Sequence, residues 1–200
     1  MFNISAMSST GYEIAPAGEH VARCVKLIDL GTQSGKFNGR ITRARKLMVY
    51  WELLGAHRRA DGAPFVASKI YTVSMHPKAT LRQDVEWWNG APLSSAEVAS
   101  FNADWMLDRY CRVTVTHAEA NGNVRAGIER LAPLPDDASK PDAVNDIVTF
   151  SLADPDLDVF ETLSPGVQRM IEASPEWQKF AAKGGSIRDA RHQMVQFAQI

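Results

Sequence analysis

At 200 residues, 45% hydrophobic and 22% charged with a net charge of -1, the chain has the composition of an ordinary soluble globular protein, with room for one well-buried domain and an appendage. No apolar run reaches the ~20 residues of a membrane helix, and the start, M-F-N-I-S-A-M-S-S-T, has no basic-then-apolar leader, so a cytoplasmic protein off the membrane is expected. Cys24 and Cys111 stand singly in strand-like runs, outside any paired metal or redox spacing, and read as small core groups.

Residues 1–11 are small and polar and read as a flexible lead-in. Y-E-I-A-P-A-G-E-H then leads into a first strand over about His20–Leu30, with Arg23 and Lys26 inside it. G-T-Q-S-G-K-F-N-G, Gly31–Gly39, reads as a turn-rich loop. It lacks the G-x-x-x-x-G-K-[ST] order and no helix follows, so it is not a phosphate-binding P-loop; Lys36 and Phe37 near its tip read as a mobile finger. From Arg40 to His76 two β-type runs flank A-H-R-R-A-D-G-A-P, a hairpin signature. In the first run Leu47, Val49, Trp51 and Leu53 alternate with Lys46, Met48, Tyr50 and Glu52, so one face can pack a core while the other meets a ligand.

Pro77 ends the third strand. Leu81, Val85 and Trp88 then mark one face of a helix over about Lys78–Asn89, with Gly90 as its stop. Trp87 lies about 100° from Trp88 around that helix and can face solvent. Ser94 and Glu97 fit a capping box for a second short helix, followed by the apolar Phe101, Trp105, Met106 and Leu107. In a fourth strand, Tyr110–His117, Cys111, Val113 and Val115 point inward while Tyr110, Arg112, Thr114 and Thr116 point outward. Ala118–Asn123 is a tight connection to a fifth strand, Val124–Leu131.

Three strands, a helical insertion and two strands form the order of a mainly β OB-fold, a five-stranded Greek-key barrel, here over residues 12–132. Ligands of that fold lie across strands two and three and the loops beside them. Past Ala132 the composition changes. Residues 1–132 hold 16 Lys and Arg against 12 Asp and Glu, residues 133–176 hold 2 against 10, and residues 177–200 hold 4 against 1. The segment 133–200 therefore reads as an acidic linker with short helices, started by Ser164-Pro165 and Ser174-Pro175, suited to partner recognition.

The five histidines are scattered, no G-x-S-x-G elbow occurs, and Asp29, Glu52 and Asp84 each read as surface or rim charges. No enzyme, metal site or cofactor is expected. Cations and aromatic rings instead share the hairpin: Arg40, Arg43, Arg45, Lys46 and Tyr50 on one run, Lys69 and Tyr71 on the other, with Lys36 and Phe37 beside them. That mixture suits phosphates and flat bases together. Trp87 and the outward Arg112 complete the candidate nucleic-acid-binding set. For Tyr50 and Tyr71, base stacking and barrel packing are both open. The main rival is a protein-interaction or assembly module with Trp87, Trp88 and Trp105 as its contact surface; a DNA-processing nuclease is a distant third.

The chain also resembles a family of bacteriophage-encoded OB-fold single-stranded DNA-binding proteins found with phage replication and recombination functions. The resemblance rests on Y-E-I-A-P-A-G-E-H, G-T-Q-S-G-K-F-N-G, Trp51-Glu52, D-G-A-P-F-V-A-S-K-I-Y-T-V-S-M-H, W-W-N-G, the Cys111 strand, L-A-P-L-P and P-E-W at Pro175–Trp177. It implies binding of single strands with little sequence preference in the host cytoplasm, without a cofactor, and leaves room for homo-oligomers. By analogy with the acidic tails of other single-strand binders, residues 133–200 would meet phage or host replication and recombination proteins, or their acidic part, Asp136–Glu176, would compete with DNA for the basic groove.

Overall fold

Alternating apolar positions build much of the sheet. The computed structural model describes residues 13–37, 39–120 and 122–184; the expected lead-in and the last basic stretch lie outside them. The strands are β1 (Gly18–Phe37), β2 (Arg40–Leu54), β3 (Val66–Thr72), β4 (Tyr110–Ala120), β5 (Asn123–Ala132) and β6 (Val148–Phe150). The helices are α1 (Thr80–Asn89), α2 (Ser95–Ala99), α3 (Leu157–Thr162), α4 (Pro165–Glu172) and α5 (Pro175–Ala182). The strands form a six-stranded antiparallel sheet in the order β3-β2-β1-β4-β5, with β6 also pairing β1. The expected five strands are present, but among the described residues no ladder joins β3 to β5 to close a barrel.

The chain divides into two compact units. The first holds residues through Leu27, Val49–Ile70 and Ser74–Ile147. In it Val49, Trp51 and Leu53 of β2 are buried as the alternation expects, and Val113 and Val115 of β4 pair in register with Leu131 and Ile128 of β5. Cys24 and Cys111 are buried thiols. Trp88 is buried on α1, its ring 6.2 Å from that of Trp51 and 5.5 Å from that of Trp105. Helix α1 ends on Gly90 at φ 75°, and α2 carries the expected Ser94–Glu97 capping box.

Glu52 corrects the sequence reading. It is fully buried, not a rim charge, and its carboxylate accepts the backbone N–H groups of Val144 (2.8 Å) and Asn145 (3.2 Å). A buried carboxylate needs such donors, since leaving one unsatisfied costs several kcal/mol. The segment after Ala132, expected as an open linker, is therefore tied into the first unit as far as Ile147.

The second unit holds Ile28–Met48, Tyr71–Val73 and the chain from Val148 onward. Here too the sequence reading changes. Phe150, Leu152, Phe160, Leu163, Val167, Ile171 and Trp177, apolar positions within the stretch expected as acidic linker and short helices, are a buried core. Phe160 and Trp177 stack at 4.4 Å between centroids, and Phe150 lies 5.9 and 6.5 Å from them. Such pairs add roughly 0.5–1.5 kcal/mol each beyond burial. Helices α4 and α5 start at the expected Ser-Pro steps, and Ser174 Oγ accepts from Trp177 N–H.

Gly31–Phe37 is strand, not loop. β1 runs past Leu30 to Phe37, and the turn is confined to the residues before Arg40, with Gly39 at φ 77° and Asn38 outside the described residues. The glycine at 31 serves a close approach: its φ is +69°, and a Cβ there would meet Ser174 Cβ at 2.6 Å and Leu152 Cδ1 at 2.8 Å. Gly31→Ala should therefore cost about 2–4 kcal/mol from backbone strain and overpacking. Denaturant unfolding followed by tryptophan fluorescence checks this; an unchanged midpoint would show that the contact is not as close as described.

Candidate nucleic-acid interface

The expected site residues divide between the two units. In the second unit the outer halves of β1 and β2 form a ribbon in which Arg40, Ile41, Thr42 and Arg43 are all exposed, Ile41 to 79%. Among the described residues nothing buries either side of the ribbon tip, so alternation there no longer separates a buried from a solvent face. Lys36, Arg40 and Arg43 are exposed and have no carboxylate partner among the described residues. The backbone of Phe37 ends β1; its ring lies outside the described residues.

Two further ribbon cations are held. Arg45 is paired with Asp29, its Nη2 at 2.5 Å and its Nε at 3.2 Å from the two carboxylate oxygens. The Asp29 hydrogen bond raises the Arg45 guanidinium above its ordinary pKa, and the Asp29 charge offsets most of what Arg45 would offer a phosphate. Asp29 also accepts from Gly31 N–H (3.0 Å) and Leu152 N–H (3.2 Å), a structural hub where a surface charge was expected. Lys46 donates from Nζ to Thr72 Oγ1 at 2.7 Å, a neutral partner that leaves its charge in place. Tyr71, open between stacking and packing in the sequence, is 1% exposed and packs.

In the first unit, Lys69 Nζ lies 2.7 Å from Asp84 Oδ2 and 3.3 Å from the Glu129 carbonyl. Asp84 is fully buried, again contrary to the surface charge expected, and Lys69 is the counter-ion that burial demands. Tyr50 is half-buried with Lys26 Nζ 5.6 Å from its ring centroid. Arg112 sits half-buried on β4, 3.7 Å from Glu19. Trp87 is 46% exposed, with the Arg130 guanidinium 5.8 Å from its ring. The sequence reading missed Arg130, whose only signal was its outward parity on β5. Trp88 is buried, so the three-tryptophan contact surface of the rival reading does not form.

Burial pushes the Cys24 thiol up to about 12 and raises Cys111 as well, so both remain protonated at neutral pH. Among the described residues no three His, Cys, Asp or Glu side chains gather in a way that could hold a metal ion. Comparison with protein-family models and with curated proteins returned no match for this chain.

Two predictions separate structural charges from exposed ones. Lys69→Ala removes the counter-ion of the buried Asp84 carboxylate and should cost about 3–5 kcal/mol in denaturant unfolding, with much of it regained in Lys69→Met/Asp84→Leu, whereas Arg43→Ala should leave stability within about 0.5 kcal/mol. Equal losses for Lys69 and Arg43 would contradict the division. Glu176 gives a pH signature. Burial pushes its carboxyl up, but the Thr32 hydroxyl (2.6 Å) and N–H (2.9 Å) that donate to it, with Arg45 nearby, outweigh this and hold it below its ordinary value of 4.5. A carboxyl depressed in the folded state stabilises above its unfolded pKa and loses that contribution as pH falls through the folded one. Stability should thus fall from about pH 5 downward, and Glu176→Gln should flatten part of that fall in urea midpoints measured between about pH 7 and pH 3.

Proposed function

We propose that the protein binds single-stranded DNA with little sequence preference, coating and protecting it during phage DNA replication and recombination. The observation that carries this reading is the β1–β2 ribbon, whose Lys36, Arg40 and Arg43 are exposed cations with no carboxylate partner among the described residues. Arg45, on the same strand as Arg43, is instead compensated by Asp29. Uncompensated cations on a two-sided ribbon attract a polyanion and release its counterions.

The strand order supports an OB-fold for this sheet. β3-β2-β1-β4-β5 is the order obtained by opening a five-stranded barrel between its third and fifth strands. Across that gap, within the first unit, α1 packs on β5 and Lys69 of β3 reaches the Glu129 carbonyl of β5. In this reading Arg40, Arg43, Lys36 and Lys46 of the second unit track phosphates; in the first unit Tyr50 and the exposed Trp87 are rings on which bases can stack. Arg45, Lys69 and Tyr71 serve the fold. Occlusion is the whole mechanism: a bound strand cannot re-pair into hairpins and is shielded from nucleases.

Titration of a fluorescent dT oligonucleotide at low and high salt, against duplex DNA, tests the reading. Wild type should bind the single strand tightly and salt-sensitively and the duplex weakly. Lys36→Ala/Arg40→Ala/Arg43→Ala should lower the slope of log K against log salt by about 2, at roughly 0.7 per lost phosphate contact. Absence of single-strand binding at low salt would overturn the proposal.

A further inference from the structure

A cleft of about 410 Å³ lies in the first unit between the end of α1, the residues leading into β4 and the segment that follows β5. Aromatic, proline and charged side chains line it together. Trp88, Trp105 and Tyr110 supply the rings, with Arg109, Asp136 and Lys140 around them. The volume is in the range that holds one small organic ligand.

The walls are fixed before any ligand arrives. Trp88 Nε1 donates to the Tyr110 carbonyl at 2.9 Å, and the Trp88 and Trp105 rings meet edge to face at 5.5 Å. Tyr110 Oη lies 3.4 Å from the Pro141 carbonyl, which steadies the ring against the segment held through Glu52. Each cation lies beside a ring: the Arg109 guanidinium is 4.2 Å from the Trp105 centroid and Lys140 Nζ is 5.8 Å from that of Tyr110. The remaining lining carboxylate, Asp108, already pairs with Arg23 at 2.6 Å. That leaves Arg109 and Lys140 against Asp136 alone, a local excess of positive charge.

Flat rings, a cationic excess and a hydrogen-bonding carboxylate select a ligand that is flat, aromatic and anionic, with polar edges. We infer that this cleft binds one nucleotide, its base against Trp105 and Tyr110 and its phosphate toward Arg109 and Lys140. An unstacked nucleotide of a bound strand and a free mononucleotide share this chemistry; the strand as source rests on the function proposed above, whereas the cleft's chemistry does not. Trp105, Arg109 and Lys140 acquire a binding role that no residue of the ribbon performs.

The test uses the full chain and two probes, dTMP and a dT oligonucleotide, by calorimetric titration. Arg109 and Lys140 are exposed, so Arg109→Ala/Lys140→Ala should keep the wild-type melting profile. Wild type should bind dTMP, and the double variant should lose about 5- to 100-fold in that affinity, the range of one stacking or cation contact. The ribbon triple variant should bind dTMP as wild type does. Oligonucleotide binding without dTMP binding, and with no change in the double variant, would overturn the cleft and leave the ribbon reading standing. Loss of dTMP binding in the double variant, with no oligonucleotide binding by wild type, would support the cleft as a free-nucleotide site and overturn the ribbon. No binding of either probe would overturn both.

Discussion

A carboxylate taken out of water must find donors or a counter-ion, and three such groups organise this protein. Glu52 accepts two successive N–H groups at Val144 and Asn145, Asp84 holds Lys69, and Asp29 gathers Arg45, Gly31 and Leu152. The first fixes where the chain runs after β5. The third joins β1, β2 and the start of the helical segment within the second unit. Together they also decide which cations are spent on the fold and which remain for a ligand.

That division gives the surface chemistry its meaning. Counting Lys and Arg along the hairpin overstates the uncompensated charge, because Arg45 and Lys69 already have carboxylates at 2.5 and 2.7 Å. What remains is concentrated at the ribbon tip, where Arg40 and Arg43 stand on opposite parities of a strand exposed on both sides. A flexible polyanion can wrap such a ribbon, whereas a single flat face would use half of these charges. The acidic residues between 133 and 176 belong to segments tied into the two units, so their charge is carried on the surfaces of those units.

Period-two patterns were legible in the sequence. Leu47, Val49, Trp51, Cys111, Val113 and Val115 are buried as read, and the Ser-Pro and Ser-x-x-Glu helix starts hold, because each depends on neighbours within a few residues. What depends on distant partners was not. Gly31 looks like a loop glycine until Ser174 and Leu152 are seen against it. Glu52 looks like a rim charge until residues 92 positions away supply its donors. The aromatic positions Phe150, Phe160 and Trp177 resemble recognition motifs because an acidic background dilutes the periodicity that would mark them as core. In the candidate site, residue types were legible and availability was not, since ion pairing is set by the fold.

The most direct test of the central claim is photocrosslinking of the full chain to a single strand carrying iododeoxyuridine, followed by peptide mapping. Crosslinked peptides should include residues 34–46, at the ribbon that bears Lys36, Arg40 and Arg43, beside those that carry the base-facing rings Tyr50 and Trp87. A strand that binds yet leaves residues 34–46 uncrosslinked would contradict it.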